Sequence, residues 1–223
     1  MQPISIFDLD RTITKIGTWS PFLLFVARRR APWRFALIPM ILAAMIGYKL
    51  GLLGRARLKE IMHRAMIGRR IDRAQAQSLA KDYARHVMAS NIYAAAIALI
   101  QREQAAGRRV IIATASHAFY AAAIANALGV ETIIATLSLY DNGNLTHHID
   151  GENCYGEAKL RKIQQYFACQ NSLDDTAHRR FYSDDLSDLP TFDWVDEPIA
   201  VNASHTLGRH AKAHGWAMLD WRR

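Results

Sequence analysis

Short apolar runs ending on polar residues alternate along much of this chain with longer segments of helical periodicity. The first run, Pro3-Ile4-Ser5-Ile6-Phe7, closes on Asp8 and reads as a buried strand. From about Trp19 to Ala106 the pattern is helical, interrupted at Pro32, around Gly51 and Gly54, and at Gly68. Its last part, residues 72–106, contains neither Pro nor Gly, which predicts a helical stretch capped by Asp72 and closed by Gly107. Strands are predicted at 109–114 and 131–136, on either side of an Ala-rich helix that stops at Gly129. Residues 137–149 read as a hairpin turning at Asp141-Asn142-Gly143-Asn144. A helix at about 157–168, strands at 180–182 and 198–201, a helix over 204–214 and a strand near 216–219 complete the series.

Strands that alternate with helices predict an α/β fold with a parallel sheet covered on both faces. The long helical region then becomes an insertion between the first strand and the rest of that sheet. The expected division is a core made of residues 1–17 and 107–223 and an all-helical insertion at 18–106.

Composition excludes wholesale disorder: 51% of the 223 residues are apolar and 22% charged. The two cysteines, Cys154 and Cys169, cannot build a disulfide framework, so a reducing compartment is expected. The formal net charge of +8 is unevenly distributed. Residues 15–70 hold twelve basic side chains and one acid, Glu60, giving +11, while the remainder carries −3. The basic insertion implies an anionic partner. Nucleic acid is not expected, because the insertion offers no aromatic stacking platform and no known motif.

Residues 35–48 are fourteen positions without a charge. As a helix they span about 21 Å, short of a ~30 Å hydrocarbon core, so a buried or interfacial helix kinked early by Pro39 is predicted. Arg28, Arg29, Arg30 and Arg34 precede this segment, and Lys49, Arg55, Arg57 and Lys59 follow it, an arrangement suited to an anionic lipid surface. The N-terminus has no basic lead-in and meets Asp8 and Asp10 at once, unlike a secretory signal. A cytoplasmic location is expected, with peripheral attachment to the inner face of the membrane.

In a parallel sheet, ligands bind outside the carboxyl ends of the strands. Those ends hold Asp8 and Asp10, then Thr114 and Ser116, then Asp184, Asp185 and Asp188, with Lys159 near the start of a helix. Converging carboxylates need a cation, and an oxygen-only set suits Mg²⁺. A lysine and a hydroxyl beside such a metal suit a phosphoryl group. One carboxylate can then attack phosphorus, and another two residues on can shuttle the proton. The chain has no G-x-G-x-x-G and no Walker A loop, and His147-His148 read as exposed hairpin residues rather than a metal site.

Taken in order, Phe7-Asp8-Leu9-Asp10-Arg11-Thr12, the Thr114 hydroxyl, Gly156-Glu157-Ala158-Lys159 and the 182–190 segment Tyr-Ser-Asp-Asp-Leu-Ser-Asp-Leu-Pro resemble the four motifs of the haloacid dehalogenase superfamily. The likeness covers nearly the whole chain. The helical insertion directly after the first motif resembles the subfamily that includes phosphoserine phosphatase and phosphatidylglycerophosphatase C. The resemblance implies a Rossmann-like three-layer core with an inserted cap that selects substrate. It also implies Asp8 as nucleophile and Mg²⁺ ligand, and Asp10 as acid/base that binds the metal through its main-chain carbonyl. Thr114 and Lys159, with Ser116 in addition, would hold the phosphoryl oxygens. Asp184 would bind Mg²⁺ and Asp188 would support the metal site, while the roles of Asp185 and His117 stay open. The expected substrate is a phosphomonoester, with a membrane lipid such as phosphatidylglycerophosphate favoured over a soluble metabolite. A membrane-associated binding module that has lost turnover is a further alternative. Phosphoserine fits less well, because Lys15-Ile16-Gly17-Thr18 offers no acid for a substrate ammonium.

Overall fold

The computed structural model describes residues 2–169 and 177–222. Eight strands form one sheet in the order β2-β5-β4-β3-β1-β6-β7-β8. Six of them, β1 (Ile4–Phe7), β3 (Arg109–His117), β4 (Thr132–Asp141), β6 (Arg179–Ser183), β7 (Glu197–Val201) and β8 (Ala217–Leu219), run parallel. The β5 strand (Asn144–Asp150) returns antiparallel to β4 through Asn142 and Gly143, at φ 47° and 78°, as the Asn-Gly pair requires of a tight hairpin.

Alternation along the strands divides the interior between the two faces. Ile4, Ile6, Ile111, Ala113, Phe181 and Ala200 pack on one side against α7 (Glu157–Cys169), α8 (Leu189–Trp194) and α9 (His205–Ala213). Phe7, Val110, Ile112, Tyr182, Ile199 and Val201 face the other way, toward α6 (Ala118–Ala127) and the insertion helices. The result is the expected three-layer α/β core.

The insertion comprises α1 (Trp19–Arg30), a 3-10 turn at Pro32–Leu37, α2 (Ile38–Lys49), α3 (Arg55–Met66), β2 (Arg70–Asp72), α4 (Arg73–Ser90) and α5 (Ala94–Ala105). It is packed on the core: the Phe22 ring stacks on Tyr120 at 4.4 Å, and the Tyr83 hydroxyl donates to the Thr18 carbonyl at 2.9 Å.

Three local expectations are corrected. The insertion is not purely helical, because Arg70, Ile71 and Asp72 pair with Thr146, Leu145 and Asn144 and cover the edge of β5. Residues 72–106 form two helices, capped at the first by the Asp72 side chain on the Gln75 amide. The break falls where Ile92 is buried and bridges to Thr14, while the Asn91 amide clamps Ile16 through bonds of 2.9 and 3.1 Å. Propensity alone cannot register such a tertiary contact. Finally, Pro39 starts α2 rather than kinking it, since its missing N–H costs nothing in a first turn.

The 12-residue α2 keeps only Ile41 buried. Met40, Leu42, Met45 and Ile46 along it, and Leu50 and Leu52 in the turn beyond, are 40–76% exposed. No helix among the described residues is long and apolar enough to cross a membrane.

Candidate active site

Because β1 lies between β3 and β6, the residues that follow these three strands gather at one end of the sheet. There they line a cavity of about 600 Å³ whose walls include Asp8, Asp10, Ser116, Lys159, Asp184 and Asp188. After β1 the chain makes a tight turn over Leu9–Ile13, with Arg11 in the left-handed region at φ 63°. Strain of this kind is kept where the surroundings over-determine it. Here the Asn202 side chain, beyond β7, donates to the carbonyls of Arg11 and Thr12 at 3.2 and 3.4 Å.

Lys159 enters from the first turn of α7 and is 2% exposed. Its Nζ donates to Asp8 Oδ1 at 2.9 Å and to Asp188 Oδ2 at 2.7 Å. Burial alone would discharge this lysine, but Asp188 and Asp8 outweigh burial and hold its pKa above the ordinary value. The Ser183 hydroxyl donates to the same Asp188 oxygen at 2.6 Å. Thr12 Oγ1 lies between the Asp8 and Asp184 carboxylates, at 3.4 and 3.5 Å.

One ammonium does not balance this much acid. Burial pushes Asp8 up to about 8 despite Lys159, with Asp188, Asp184 and Asp10 adding to the rise. Burial, with Asp185 beside it, raises Asp184 to about 7. Asp188 Oδ1 is buried with no partner among the described residues. This excess of buried carboxylate oxygen fits a hard cation. Among the described residues no three His, Cys, Asp or Glu side chains converge on one point. Asp8 and Asp184, whose carboxylates flank Thr12, are the side chains that could hold such a cation, with the remaining positions open to water as Mg²⁺ prefers. The Asp10 carboxylate is turned elsewhere, accepting from the Thr18 amide and the Ser116 hydroxyl, each at 2.6 Å.

Of the two hydroxyls expected after β3, Ser116 faces the cavity. Thr114 is fully buried, does not line it, and accepts from the Ser116 amide at 3.1 Å. The irregular register between Thr114 and His117 turns the chain there and presents Ser116 instead. Asp185 lines the cavity and caps the following turn through the Ser187 amide at 2.9 Å. His117 is buried beneath Trp19, rings 4.5 Å apart, with Nδ1 2.8 Å from Ser138 Oγ. His147 and His148 instead join β5 to the insertion, at the Arg69 carbonyl and Glu60.

Lys59, Arg55 and Tyr155 are among the cavity residues that the sequence reading did not place at the site. A signal for Lys59 existed. It lies among Leu58, Met62, His63 and Met66 on the buried face of α3, where a lysine is unusual.

Residues 6–193 match the family described as haloacid dehalogenase-like hydrolase. The chain belongs to this family. A probable phosphatase of Mycobacterium tuberculosis is 30% identical over 152 residues, covering 68% of this chain and 52% of its own length. A histidinol-phosphatase of Neisseria meningitidis is 30% identical over 126 residues, 56% of this chain and 57% of its own. The chain thus spans about half the length of curated relatives it matches. A crystal structure of a protein of unknown function from Bordetella pertussis Tohama I superposes with a TM-score of 0.90 at 29% identity, over 99% of both chains. The haloacid dehalogenase-like assignment agrees with the order of motifs along the sheet.

Proposed function

We propose that this chain is a Mg²⁺-dependent phosphomonoester hydrolase working through a phosphorylated Asp8. The observation that carries this reading is the buried Lys159 ammonium held between Asp8 and Asp188 in a carboxylate-lined cavity. An Asp8 oxygen attacks phosphorus, and the ester P–O bond breaks with its electron pair going to the leaving oxygen. Asp10 gives that oxygen a proton, and Lys159 and Ser116 face the phosphoryl oxygens. Asp10 then takes a proton from water as the water oxygen attacks the phosphorus on Asp8, releasing phosphate and restoring the Asp8 carboxylate and the protonated Asp10. Magnesium, when bound by Asp8, Asp184 and the Asp10 carbonyl, would supply the positive charge that draws the phosphoryl group in.

In this reading residues 18–106 act as the cap and the remainder as the catalytic body. Hydrolysis of p-nitrophenyl phosphate should require Mg²⁺, stop with a chelator and vanish in Asp8→Asn. A wild-type protein with no Mg²⁺-dependent hydrolysis of any phosphomonoester would favour a binding module instead.

A lipid phosphomonoester, phosphatidylglycerophosphate being one example, is supported by one specific observation. The exposed apolar face of α2 continues through Leu50 and Leu52 toward Arg55, which lines the cavity. Basic residues flank that face, so an anionic bilayer would meet both features next to the cavity mouth. The phosphatase names of the relatives equally suit a soluble phosphorylated metabolite. Co-sedimentation with anionic vesicles at low salt separates the two, and full recovery in the supernatant would leave the soluble substrate standing.

A further inference from the structure

Cap helix α3 turns two cations toward the catalytic cavity, and among the described residues neither has an acidic partner. Arg55 and Lys59 lie one helical turn apart on one face, and both line the cavity with Asp8 and Lys159. Lys59 is 7% exposed. Its Nζ donates to the Ala115 carbonyl at 2.5 Å and to Asn153 Oδ1 at 2.7 Å, two neutral acceptors for a group with three donors. The Arg55 guanidinium lies over the Tyr155 ring, 3.8 Å from its centroid.

Burying a cation without a counter-charge is costly. Burial first, and then the nearby Arg55, lower Lys59 to about 7; Asp10 pulls the other way too weakly to offset them, and no ion pair among the described residues holds this ammonium. The acids of the cavity sit elsewhere: Asp8 and Asp188 hold Lys159, and Asp10 is occupied by Thr18 and Ser116. The cavity therefore has two walls. The sheet wall gathers carboxylates, and facing it stand Lys59 and Arg55, neither in an ion pair among the described residues, beside the Tyr155 ring.

Resting on the hydrolase reading above, we propose that Lys59 and Arg55 form a second anion subsite. The substrate is then a phosphomonoester whose organic part carries another negative group, a carboxylate or a second phosphate. The phosphoryl group to be cleaved lies at Asp8, and the second anion completes the Lys59 donor set and pairs with Arg55.

The test compares matched substrates that differ in the second charge. Phenyl phosphate is set against 4-carboxyphenyl phosphate, and glycerol 1-phosphate against glycerol 1,3-bisphosphate, with Mg²⁺ and the full chain. The carboxylate and phosphate arms identify which anion is preferred. Wild type should favour the doubly charged member by at least tenfold in kcat/KM. Lys59→Met and Arg55→Met should each cut that ratio at least fivefold, mainly through KM, and Lys59→Arg should recover part of it. A ratio unchanged in both methionine variants, or equal losses on both members of each pair, would overturn the subsite and leave Lys59 as a brace for Ala115. Titrating wild type with phenylphosphonate and 4-carboxyphenylphosphonate reads the same preference without turnover. Equal affinities there sink the subsite whether or not the protein hydrolyses esters, whereas tight selective binding without hydrolysis would sink the hydrolase reading alone.

Discussion

Lys159 reaches 2.7 Å across to Asp188, and this bond fixes the ammonium beside the Asp8 carboxylate. Removing the lysine leaves two buried acids facing each other. Lys159→Met should lower kcat for p-nitrophenyl phosphate by at least about a thousandfold and reduce stability by ~3–5 kcal/mol. Pairing it with Asp188→Asn should return much of the stability and none of the activity. Urea unfolding and steady-state kinetics on the three variants decide; a double variant as unstable as the single one would disprove the pairing argument.

His63 makes the fold sensitive to acid. It is buried with neither ring nitrogen partnered among the described residues, and burial, with smaller contributions from His147 and His148, lowers its pKa to about 3. Between about 6.5 and 3 the unfolded chain takes up a proton that the folded one refuses, so stability falls as the pH drops through that window. At pH 5 this group alone costs ~2 kcal/mol relative to pH 7 and above. His117, lowered in the same direction chiefly by burial, adds to the loss. His63→Leu should flatten the stability profile between pH 7 and 5, and an unaltered slope in urea titrations would count against this assignment.

Asn202 ties the catalytic turn to the far edge of the sheet. Its side chain serves Arg11, Thr12 and the Trp221 amide at once, and its own backbone is left-handed at φ 49°, which asparagine tolerates. Asn202→Ala should cost ~1–3 kcal/mol and loosen the turn that carries Asp10. A drop in kcat beyond the fraction unfolded is expected, and a lower Tm with unchanged kcat would separate the tie from catalysis.

Leu42 and Ile46 test the α2 face directly. Both are more than half exposed, so Leu42→Glu and Ile46→Glu should change stability by no more than ~0.5 kcal/mol. They should nevertheless abolish retention on anionic vesicles. Loss of a dimer in light scattering, with vesicle behaviour unaltered, would assign the face to a second copy of the chain.

Periodicity made the parallel sheet legible, because each central strand is a short apolar run stopped by a polar residue. Asp8, Lys159 and Asp184 were legible for the same reason, as polar groups standing where such runs end or the next helix begins. What stayed hidden depends on contacts distant in sequence. The split at Asn91 answers to Ile16, and β2 exists because Arg70 to Asp72 found the open edge of β5. The choice of Ser116 over Thr114 turns on a local register shift that no pattern of residue types encodes. Lys59 looked like one more charge in a basic stretch, and only its burial separates it from Arg57, which pairs with Glu60.

The central place of β1 also governs when the site can come into being. Its neighbours are β3, which begins at Arg109, and β6, which ends at Ser183. A chain emerging from the ribosome therefore displays Asp8 before the other residues of the cavity and must hold that strand unpaired on one flank until Ser183 has been made. Such late, long-distance pairing favours slow folding. The helices of the insertion all precede β3 in the chain and are available to shield the waiting strand. The inserted segment can thus serve the nascent chain as its own temporary chaperone.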